Sequence, residues 1–479
     1  MLTIEKQNKQ KTPFSYLVLS EVSQLKKNEW LTEQELDYVK IRHCEDQVNF
    51  FLFHKFTHEV AVQLYKEQEC PWKTLEDIRK SGAAVYKKLR NVGIKQLVIY
   101  SQETEDKQRA FAEGLLLGSY EFDKYFSHSE HRLPFLTSIC FDNKKVFQEA
   151  GKIPMDIKLA AITKCRDLVN EPPCVLNAEK LARAFVEMGN EVEGLKVTVW
   201  DKKQIQKQKM GGLLAVNRGS VDEPTFTIME WKPENAVNRR PLVLVGKGLV
   251  YDSGGLNLKP GDYMNNMKED MAGAATMASV VYAIAKSDLP IHVIALLPAT
   301  DNKPSATAFA SSDIITMYDG TNVEVVNTDA EGRMILADAL AYAKKYNPEL
   351  VFDAATLTGA ASRAIGPLGL AAVHQKAEQD MQLLKTCGNE VYERVAEFPF
   401  WDEYGDSIKS KVADIKNSGE GFAGMQTAGK FLAHFTDYPY IHLDIAGVAF
   451  TEKPKDYFSY GGTGFGIRLL LSFIEKKYL

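Results

Sequence analysis

The sequence has few cysteines, and they are not arranged in pairs. Its six cysteines are scattered along 479 residues, and no two of them have a Cys-x-x-Cys spacing. This spacing argues against a disulfide framework and against a cysteine-based zinc site. Reduced thiols are the simpler interpretation, so we expect a cytoplasmic protein.

Long apolar runs are also missing. No stretch approaches the roughly 18 consecutive apolar residues that a membrane helix needs. The charged start of the chain, MLTIEKQNKQKT, is not followed by an apolar signal core. We therefore expect no membrane partner and no cleaved secretion signal.

Neither sign of charge dominates. Lys and Arg total 58 against 63 for Asp and Glu, which gives a net charge of −5. This balance argues against nucleic acid as the main partner, although a local basic face on an assembled protein would overturn that expectation. With 45% hydrophobic and 25% charged residues, the composition is that of a globular protein.

The length predicts two domains, because a single hydrophobic core rarely exceeds roughly 250–300 residues. The charged stretch 142–156 contains Gly151 and Pro154 and marks a boundary, which we place between about 145 and 175. The predicted partition is an N-terminal domain over 1–150, a linker and domain start over 151–175, and a larger domain over 176–479.

Short apolar runs alternate with helical patterns, which predicts an α/β fold with a largely buried sheet. The predicted strands are 96–101, 195–200, 241–246, 291–297, 350–354 and 440–445, and the predicted helices are 109–124, 157–169, 271–285 and 334–346.

Three segments carry candidate chemistry, each just past a predicted strand or at a helix start. They are GKGLVYDSGG at 246–255 with Lys259 after it, MKEDMAGAAT at 267–276, and NTDAEGR at 327–333. Side chains at such places converge on the crevice at the strand ends. Taken singly, the first two are better explained as a glycine-rich turn and as an N-cap at Asp270.

The third segment is harder to explain as surface charge. In an extended chain, residues two apart point the same way, so Asp329, Glu331 and Arg333 would share one face. They lie between the apolar strand 323–326 and an apolar helix, where burial is expected. Buried carboxylates need cations, and a single arginine does not suffice for two of them.

Together the segments supply the candidate carboxylates, lysines and arginine, which are Asp252, Asp270, Asp329, Glu331, Lys247, Lys259 and Arg333. Four negative charges balance the charge of two divalent cations, as in a two-metal site. Oxygen ligands leave Zn²⁺, Mn²⁺, Co²⁺ and Mg²⁺ all open. A two-metal phosphohydrolase would also fit, but it would need more cationic groups than Lys259 and Arg333. A DNA-binding architectural protein would instead bind duplexes in a salt-dependent way and would tolerate loss of Glu331.

The chain resembles the leucyl (cytosol) aminopeptidase family of dinuclear metallopeptidases. NTDAEGR matches the family signature, and the supporting segments in order are GKG at 246–248, YDSGG at 251–255, MKEDMAGAAT at 267–276 and ATLTGA at 355–360. The resemblance covers 160–479 and is weaker over 1–150. It implies a macro-like N-terminal α/β domain that helps assembly or access. It also implies a larger catalytic α/β domain with a mixed central sheet flanked by helices.

The resemblance also implies an activity, which is release of N-terminal, preferably Leu-like residues from peptides by a metal-bridging water. It implies a homo-hexamer that uses two divalent ions per subunit, Zn or Mn, with Co or Mg in the exchangeable site, together with bicarbonate.

By the same resemblance, the tighter ion is held by Lys247, Asp252, Asp270 and Glu331, and the exchangeable ion by Asp252, Asp329 and Glu331. Lys259 would stabilise the oxyanion, and Arg333 would hold the bicarbonate that shuttles a proton. The residues implied to contact the substrate are Met267, Thr356, Leu357 and Gly359.

Overall fold

The structure is a computed structural model that describes residues 3–4, 15–90, 92–127, 136, 138–141 and 152–479. Its contacts divide the chain into two compact units. The first is Met1–Leu159 with Lys453–Tyr460, and the second is Ala160–Glu452 with Gly461–Leu479. Most of the stretch expected to mark the domain boundary, 142–151, lies outside the described residues. The partition at 1–150, 151–175 and 176–479 therefore stays a prediction.

The first unit is built around one six-stranded sheet. Its strands are β1 Thr3–Ile4, β2 Ser15–Glu21, β3 Phe50–His54, β4 Glu59–Tyr65, β5 Gln96–Tyr100 and β6 Ser138–Phe141, and its helices are α1 Glu33–Asp46, α2 Pro71–Arg90 and α3 Glu105–Gly118. The strand order is β1-β6-β5-β2-β4-β3, and only the β3–β4 pair is antiparallel among these described strands.

Helix α3 is displaced from the predicted range 109–124. It begins at Glu105 and ends at Gly118. The hydroxyl of Ser119 donates to the carbonyl of Leu116 at 2.8 Å, so the side chain competes with the next helical turn. Helix α3 also packs closely on α2, because a Cβ at Gly114 would lie 1.8 Å from the Arg79 carbonyl oxygen.

The segment Lys453–Tyr460 is joined to the first unit by a buried polar contact. The hydroxyl of Tyr457 lies 3.1 Å from Oε1 of Glu76. Glu76 is itself buried and accepts from Arg79 at 2.5 Å, so the contact belongs to a buried ion-pair network. A stretch distant in sequence thus completes the interior of this unit.

The second unit contains a nine-stranded mixed sheet. Its strands are β7 Lys196–Trp200, β8 Thr225–Trp231, β9 Leu242–Gly246, β10 Gly248–Asp252, β11 Val293–Asn302, β14 Leu350–Ala355, β15 Leu370–Gln375, β16 Val395–Glu397 and β18 Tyr440–Asp444. The order is β16-β15-β18-β14-β9-β11-β8-β7, and β10 pairs with β11. The unit also contains two small sheets. One consists of β12 Ile314–Thr316, β13 Asn322–Glu324 and β17 Ile415–Lys416, and the other consists of β19 Phe450–Thr451 and β20 Gly461–Gly462.

Helices flank this sheet, as predicted. They are α4 Met155–Asn170, which the division between the units cuts, α5 Ala178–Asn190, α6 Lys202–Lys207, α7 Gly211–Asn217, α8 Ala272–Lys286, α9 Gly332–Ala343, α10 Gly359–Ile365, α11 Glu378–Val391, α12 Gly424–His434 and α13 Ile467–Tyr478. The α/β fold with a larger C-terminal mixed sheet is confirmed. In the described part of the chain, no helix is both long and apolar enough to span a bilayer.

The central strands are mainly apolar, so they form where both faces are covered. Every residue of β9, β11 and β14 is buried. Strand β11 is parallel to β9 and β10, and β14 is parallel to β9 and β18. Their carboxyl ends therefore meet at one edge, where polar residues that follow these strands come together.

Candidate metal centre

The candidate residues gather at this carboxyl edge of the sheet. Lys247 follows β9, Asp252 ends β10 and Thr356 follows β14. Asp270 lies on a 3₁₀ turn, Met267–Met271, that leads into α8. Glycine lets these elements approach closely, since a Cβ at Gly273 would lie 2.0 Å from the Ala354 carbonyl oxygen.

Lys247 is at the centre of one half of the site. Its Nζ lies 2.7 Å from Oδ1 of Asp270 and 3.1 Å from Oε1 of Glu331. It also donates to the carbonyl of Thr356 at 3.0 Å. Gly332 leaves room for this side chain, because a Cβ there would be 2.3 Å from Lys247 Cε.

Lys259 is at the centre of the other half. Its Nζ lies 2.7 Å from Oδ2 of Asp252 and 2.7 Å from Oδ1 of Asp329. The other oxygen of Asp252 accepts from the backbone N–H of Gly254 at 2.8 Å and from Nδ2 of Asn302 at 2.9 Å. We name the whole group, Lys247, Asp252, Lys259, Asp270, Asp329 and Glu331, the interior cluster.

The geometry predicted for 327–333 is wrong. The segment is not extended but forms a turn, in which the side chain of Asn327 accepts from the backbone N–H of Asp329 at 2.9 Å. Asn and Asp favour such side-chain-supported turns over extended chain. Asp329 and Glu331 both reach the cluster through the turn, whereas Arg333 lies in the first turn of α9.

Asp270 is not the N-cap of α8. That helix has no side-chain cap bond, and Met271 stands at the cap position. The Asp270 carboxylate instead receives Lys247 and the hydroxyl of Thr356, the latter at 2.7 Å. Its orientation follows from the 3₁₀ turn, which aims the side chain at the sheet edge.

The two lysines are held in the charged form by their surroundings. Burial alone would lower the pKa of Lys247, but the carboxylates of Asp270 and Glu331 raise it above its ordinary value. Burial likewise opposes the charge of Lys259, and the carboxylates of the cluster, Asp252 foremost, raise its pKa above the ordinary value.

For the acidic groups and the arginine, the net pKa shift has the direction that burial favours. Burial, together with the charge of Glu331, raises the pKa of Asp329 to about 7, although Lys259 opposes the shift. Burial also raises the pKa of Asp270. The pKa of Arg333 is lowered to about 10 by burial. These shifts show that the site is desolvated and that its carboxylates are not fully compensated.

The donor set fits divalent cations. Asp252, Asp329 and Glu331 each place an oxygen within 4.8 Å of the others. Among the described residues, neither Oδ2 of Asp270 nor Oε2 of Glu331 finds a hydrogen-bond partner, although both are buried. Leaving buried carboxylate oxygens unpaired is costly, and cations are the natural partners for them.

Of the residues expected at the substrate pocket, one contacts the cluster and the others lie on nearby stretches of the chain. Thr356 contacts Asp270 directly, and the backbone N–H of Leu357 donates to Asp444 at 3.2 Å. Met267 begins the 3₁₀ turn that carries Asp270, and Gly359 begins α10.

Sequence reasoning missed three residues that support the site. Asn302 contacts Asp252, Asp444 holds the chain that follows β14, and Asn417 accepts from Arg333 at 2.9 Å through its carbonyl oxygen. Asn302 and Asp444 could have been found, because each ends a strand at the carboxyl edge. Asn417 gave no such signal.

A second group of possible ligands lies at the protein surface. Nε2 of His374 is 3.1 Å from Oε2 of Glu378 and 3.2 Å from Oε1 of Glu397, and Lys385 lies 2.9 Å from the other oxygen of Glu397. We name these four residues the surface cluster. Here the carboxylates already have basic partners, which is the ordinary arrangement of a surface ion-pair network.

Comparison with known proteins identifies the family of the chain. The model of the cytosol aminopeptidase family, catalytic domain, matches residues 163–471, and that of the family's N-terminal domain matches 66–129. Probable cytosol aminopeptidases of Chlorobium phaeobacteroides and Chlorobaculum tepidum are 40% and 41% identical over 429 and 431 residues, with 84% of each chain covered.

Solved structures show the same fold. The bottromycin maturation enzyme BotP in complex with Mn has a TM-score of 0.85 at 27% identity, and the similarity covers 97% of this chain and 99% of that one. A tomato leucine aminopeptidase mutant has a TM-score of 0.85 at 24% identity, covering 100% and 97%. The chain therefore belongs to the cytosol aminopeptidase family of metal-dependent hydrolases.

Proposed function

We propose that this chain removes single residues, preferably Leu-like ones, from the free N-termini of peptides, and that the interior cluster performs the reaction. The observation that supports this most directly is the pair of buried, unpartnered carboxylate oxygens on Asp270 and Glu331. They lie at the carboxyl edge of the sheet, where a substrate can reach the strand ends.

The proposed ligands come from both halves of the cluster. Lys247, Asp252, Asp270 and Glu331 would hold the tighter ion, and Asp252, Asp329 and Glu331 the exchangeable one. Zn²⁺ and Mn²⁺ are the proposed ions, with Co²⁺ or Mg²⁺ acceptable in the exchangeable site. When bound, such ions supply Lewis acidity toward a peptide carbonyl and lower the pKa of an attacking water.

Lys247 would have to lose a proton to act as a ligand. In the protein alone its ammonium group neutralises Asp270 and Glu331, at 2.7 and 3.1 Å. Cations would take over that role, because they neutralise the same carboxylates and repel the ammonium charge. The neutral amine would then be favoured, and ion binding would release a proton.

Lys259 would keep its charge and face the substrate. It is 15% exposed, against 3% for Lys247, so it is the lysine that a substrate can approach. Once cations neutralise Asp252 and Asp329, its ammonium group is available to donate to the oxyanion that forms at the attacked carbonyl. A preorganised donor of this kind stabilises the developing charge.

Arg333 would hold bicarbonate as the proton shuttle. One of its terminal nitrogens donates to the Asn417 carbonyl, while its buried Nε has no partner within the described chain. A guanidinium with unused donors can hold a planar oxyanion. Met267, Thr356 and Gly359 would line the pocket for the substrate side chain, and Leu357 would offer a backbone contact.

The remaining proposals rest on the family resemblance. They are assembly as a homo-hexamer, location in the cytoplasm, and a role of the domain at 1–150 in assembly or access.

The test is hydrolysis of Leu-p-nitroanilide beside its N-acetylated form. Metal-stripped protein would be given Mn²⁺, Zn²⁺, Co²⁺ or Mg²⁺ separately, and p-nitroaniline release would be followed. We expect metal-restored cleavage of the free-amine substrate only, and its loss in Glu331→Ala. Equal cleavage of the acetylated substrate, or no cleavage with any ion, would contradict the proposal.

A further inference from the structure

Asn417 has an unusual concentration of contacts to the chain that carries two proposed metal ligands. It follows β17, which pairs in parallel with β13, and its backbone N–H donates to the Glu324 carbonyl at 2.9 Å. The chain beyond β13 leaves the small sheet at this point and turns into the segment 327–331. Asn417 therefore lies where the loop has no further strand to pair with.

The side-chain amide of Asn417 makes the hydrogen bonds to the loop backbone that a further strand would otherwise make. Its Oδ1 accepts from the backbone N–H of Val326 at 2.8 Å and from that of Asn327 at 3.3 Å. Its Nδ2 donates to the carbonyl of Asn327 at 2.7 Å. Because N–H groups face one end of the amide and a carbonyl faces the other, the network itself fixes the amide orientation.

The same residue also holds Arg333. Its carbonyl oxygen accepts from the Arg333 guanidinium at 2.9 Å, and its side chain is completely buried. All four polar groups of Asn417 are thus engaged with the segment from β13 to the start of α9. Asp329 and Glu331 lie between the points at which this single residue holds the chain.

We propose that Asn417 is a positioning residue for the metal centre. It clamps the backbone around Asp329, Glu331 and Arg333 and so sets the placement of these three residues. This rests on the proposed function, since it assumes that those carboxylates bind divalent ions. No other side chain has its size together with a donor and an acceptor at this reach. Aspartate lacks the donor, and glutamine is one carbon longer.

The chain offers a matched control in Asn238. Its Oδ1 accepts from the backbone N–H of His292 at 2.7 Å, and its Nδ2 donates to the carbonyls of His292 and Arg240 at 2.9 and 3.0 Å. Asn238 is also buried. It precedes β9, however, and so clamps the backbone at the amino ends of the strands, away from the metal centre.

The test compares Asn417→Ala with Asn238→Ala in the full chain. Mn²⁺ binding to metal-stripped protein would be measured by calorimetry, and thermal unfolding would be measured without metal. Both variants should lose thermal stability. Asn417→Ala should also bind Mn²⁺ about 10- to 100-fold more weakly, as expected for groups that orient ligands, whereas Asn238→Ala should bind within about twofold of the parent.

Kinetics give a second readout that a purely structural role would not produce. The kcat of Asn417→Ala should rise with added Mn²⁺ toward that of the parent, with KM for Leu-p-nitroanilide nearly unchanged. If the variant binds Mn²⁺ as tightly as the parent does, the positioning role is overturned while the proposed function stands. If the parent itself binds no divalent ion, the proposed function fails and the role of Asn417 fails with it.

Hydrogen exchange on the parent covers the case in which Asn417→Ala does not fold. The amide of Val326 has Oδ1 of Asn417 as its acceptor, so it should exchange slowly even in the metal-free protein. Fast exchange at Val326 in otherwise folded protein would overturn the proposal without any variant.

Discussion

The interior cluster and the surface cluster contain the same kinds of residues and differ in what their oxygens contact. In the surface cluster, Glu378 reaches His374 and Gln382, and Glu397 reaches His374 and Lys385, so that each of the four carboxylate oxygens has a partner. In the interior cluster, Asp270 and Glu331 each keep an oxygen without one among the described residues.

Burial explains why this difference matters. The side chain of Glu378 is 68% exposed, so water compensates its charge at little cost, whereas that of Glu331 is 2% exposed. Ligand spacing alone would allow an ion at either place. The buried carboxylate oxygens without a partner therefore distinguish the interior cluster, the proposed metal centre, from the ion pairs of the surface cluster.

The largest effect is expected from removing one carboxylate of each cluster. Glu331→Gln should lower kcat/KM for Leu-p-nitroanilide by at least about 10³-fold, because a shared ligand supports several kcal/mol of charge stabilisation. Glu397→Gln should stay within about twofold of the parent. Comparable losses in both variants would break the distinction between the clusters.

A smaller effect is expected from removing one lysine of each cluster. Lys259→Met should lower kcat by about 10²- to 10³-fold, the usual cost of losing an oxyanion donor. Its Mn²⁺ binding should persist, because Lys259 is not a proposed ligand. Lys385→Met should change kcat little and alter the free energy of unfolding by no more than about 1 kcal/mol. Steady-state kinetics and thermal unfolding check both expectations.

A third prediction concerns the space that the interior cluster needs. In Gly332→Ala the new Cβ would lie 2.3 Å from Cε and 2.6 Å from Nζ of Lys247. Lys247 is buried and held by Asp270, so it cannot move without losing that contact. We expect calorimetry to show Mn²⁺ affinity about 10- to 100-fold lower.

Gly405→Ala is the control for this substitution, because within the described chain an added Cβ there meets no atom within 4 Å. Unchanged Mn²⁺ affinity in Gly332→Ala would show that Lys247 is not confined as the structure indicates.

The smallest effect is a pH dependence. In the metal-free protein the pKa of Asp329 is raised to about 7, so below pH 7 this carboxyl group holds a proton that a cation must displace. Mn²⁺ affinity should therefore fall by up to about tenfold per unit as the pH drops below 7, and Asp329 should add no dependence above it.

The raised pKa of Asp329 also affects stability. As the pH drops below 7, the metal-free protein becomes more stable while its Mn²⁺ affinity falls. A carboxyl pKa raised by folding stabilises the metal-free protein as the pH falls from about 7 toward the unfolded value.

Calorimetry in two buffers of different ionisation enthalpy counts the protons released on Mn²⁺ binding. Asp329 should contribute most of one proton at pH 6 and almost none at pH 8. Equal release at both values would contradict the assignment.

Much of the fold and of the site could be predicted because the signals are local. The runs 241–246 and 350–354 are mainly apolar, and they form the buried strands β9 and β14. The polar residues directly after such strands had to meet at one edge. For that reason the segment that carries Lys247 could be placed beside the site from the sequence, whereas Thr356 was expected there only from the family resemblance.

The rest depended on contacts between residues distant in sequence. Asn417 reaches the segment 327–331 only because β17 pairs with β13, and a pairing of two short strands leaves little pattern to read. The extended geometry assumed for 327–333 was wrong for a local reason, since the side chain of Asn327 closes a turn there. The same two carboxylates still reach the cluster, by a different path of the backbone.

The membership of Lys453–Tyr460 in the first unit has a consequence for biosynthesis. Domains usually fold in the order in which the ribosome releases them, N-terminal first. Here the hydroxyl that contacts the buried Glu76 belongs to Tyr457, so it is synthesised only after Ala160–Glu452 of the second unit. The N-terminal unit therefore acquires this interior partner only after residues 160–452 of the second unit have been made.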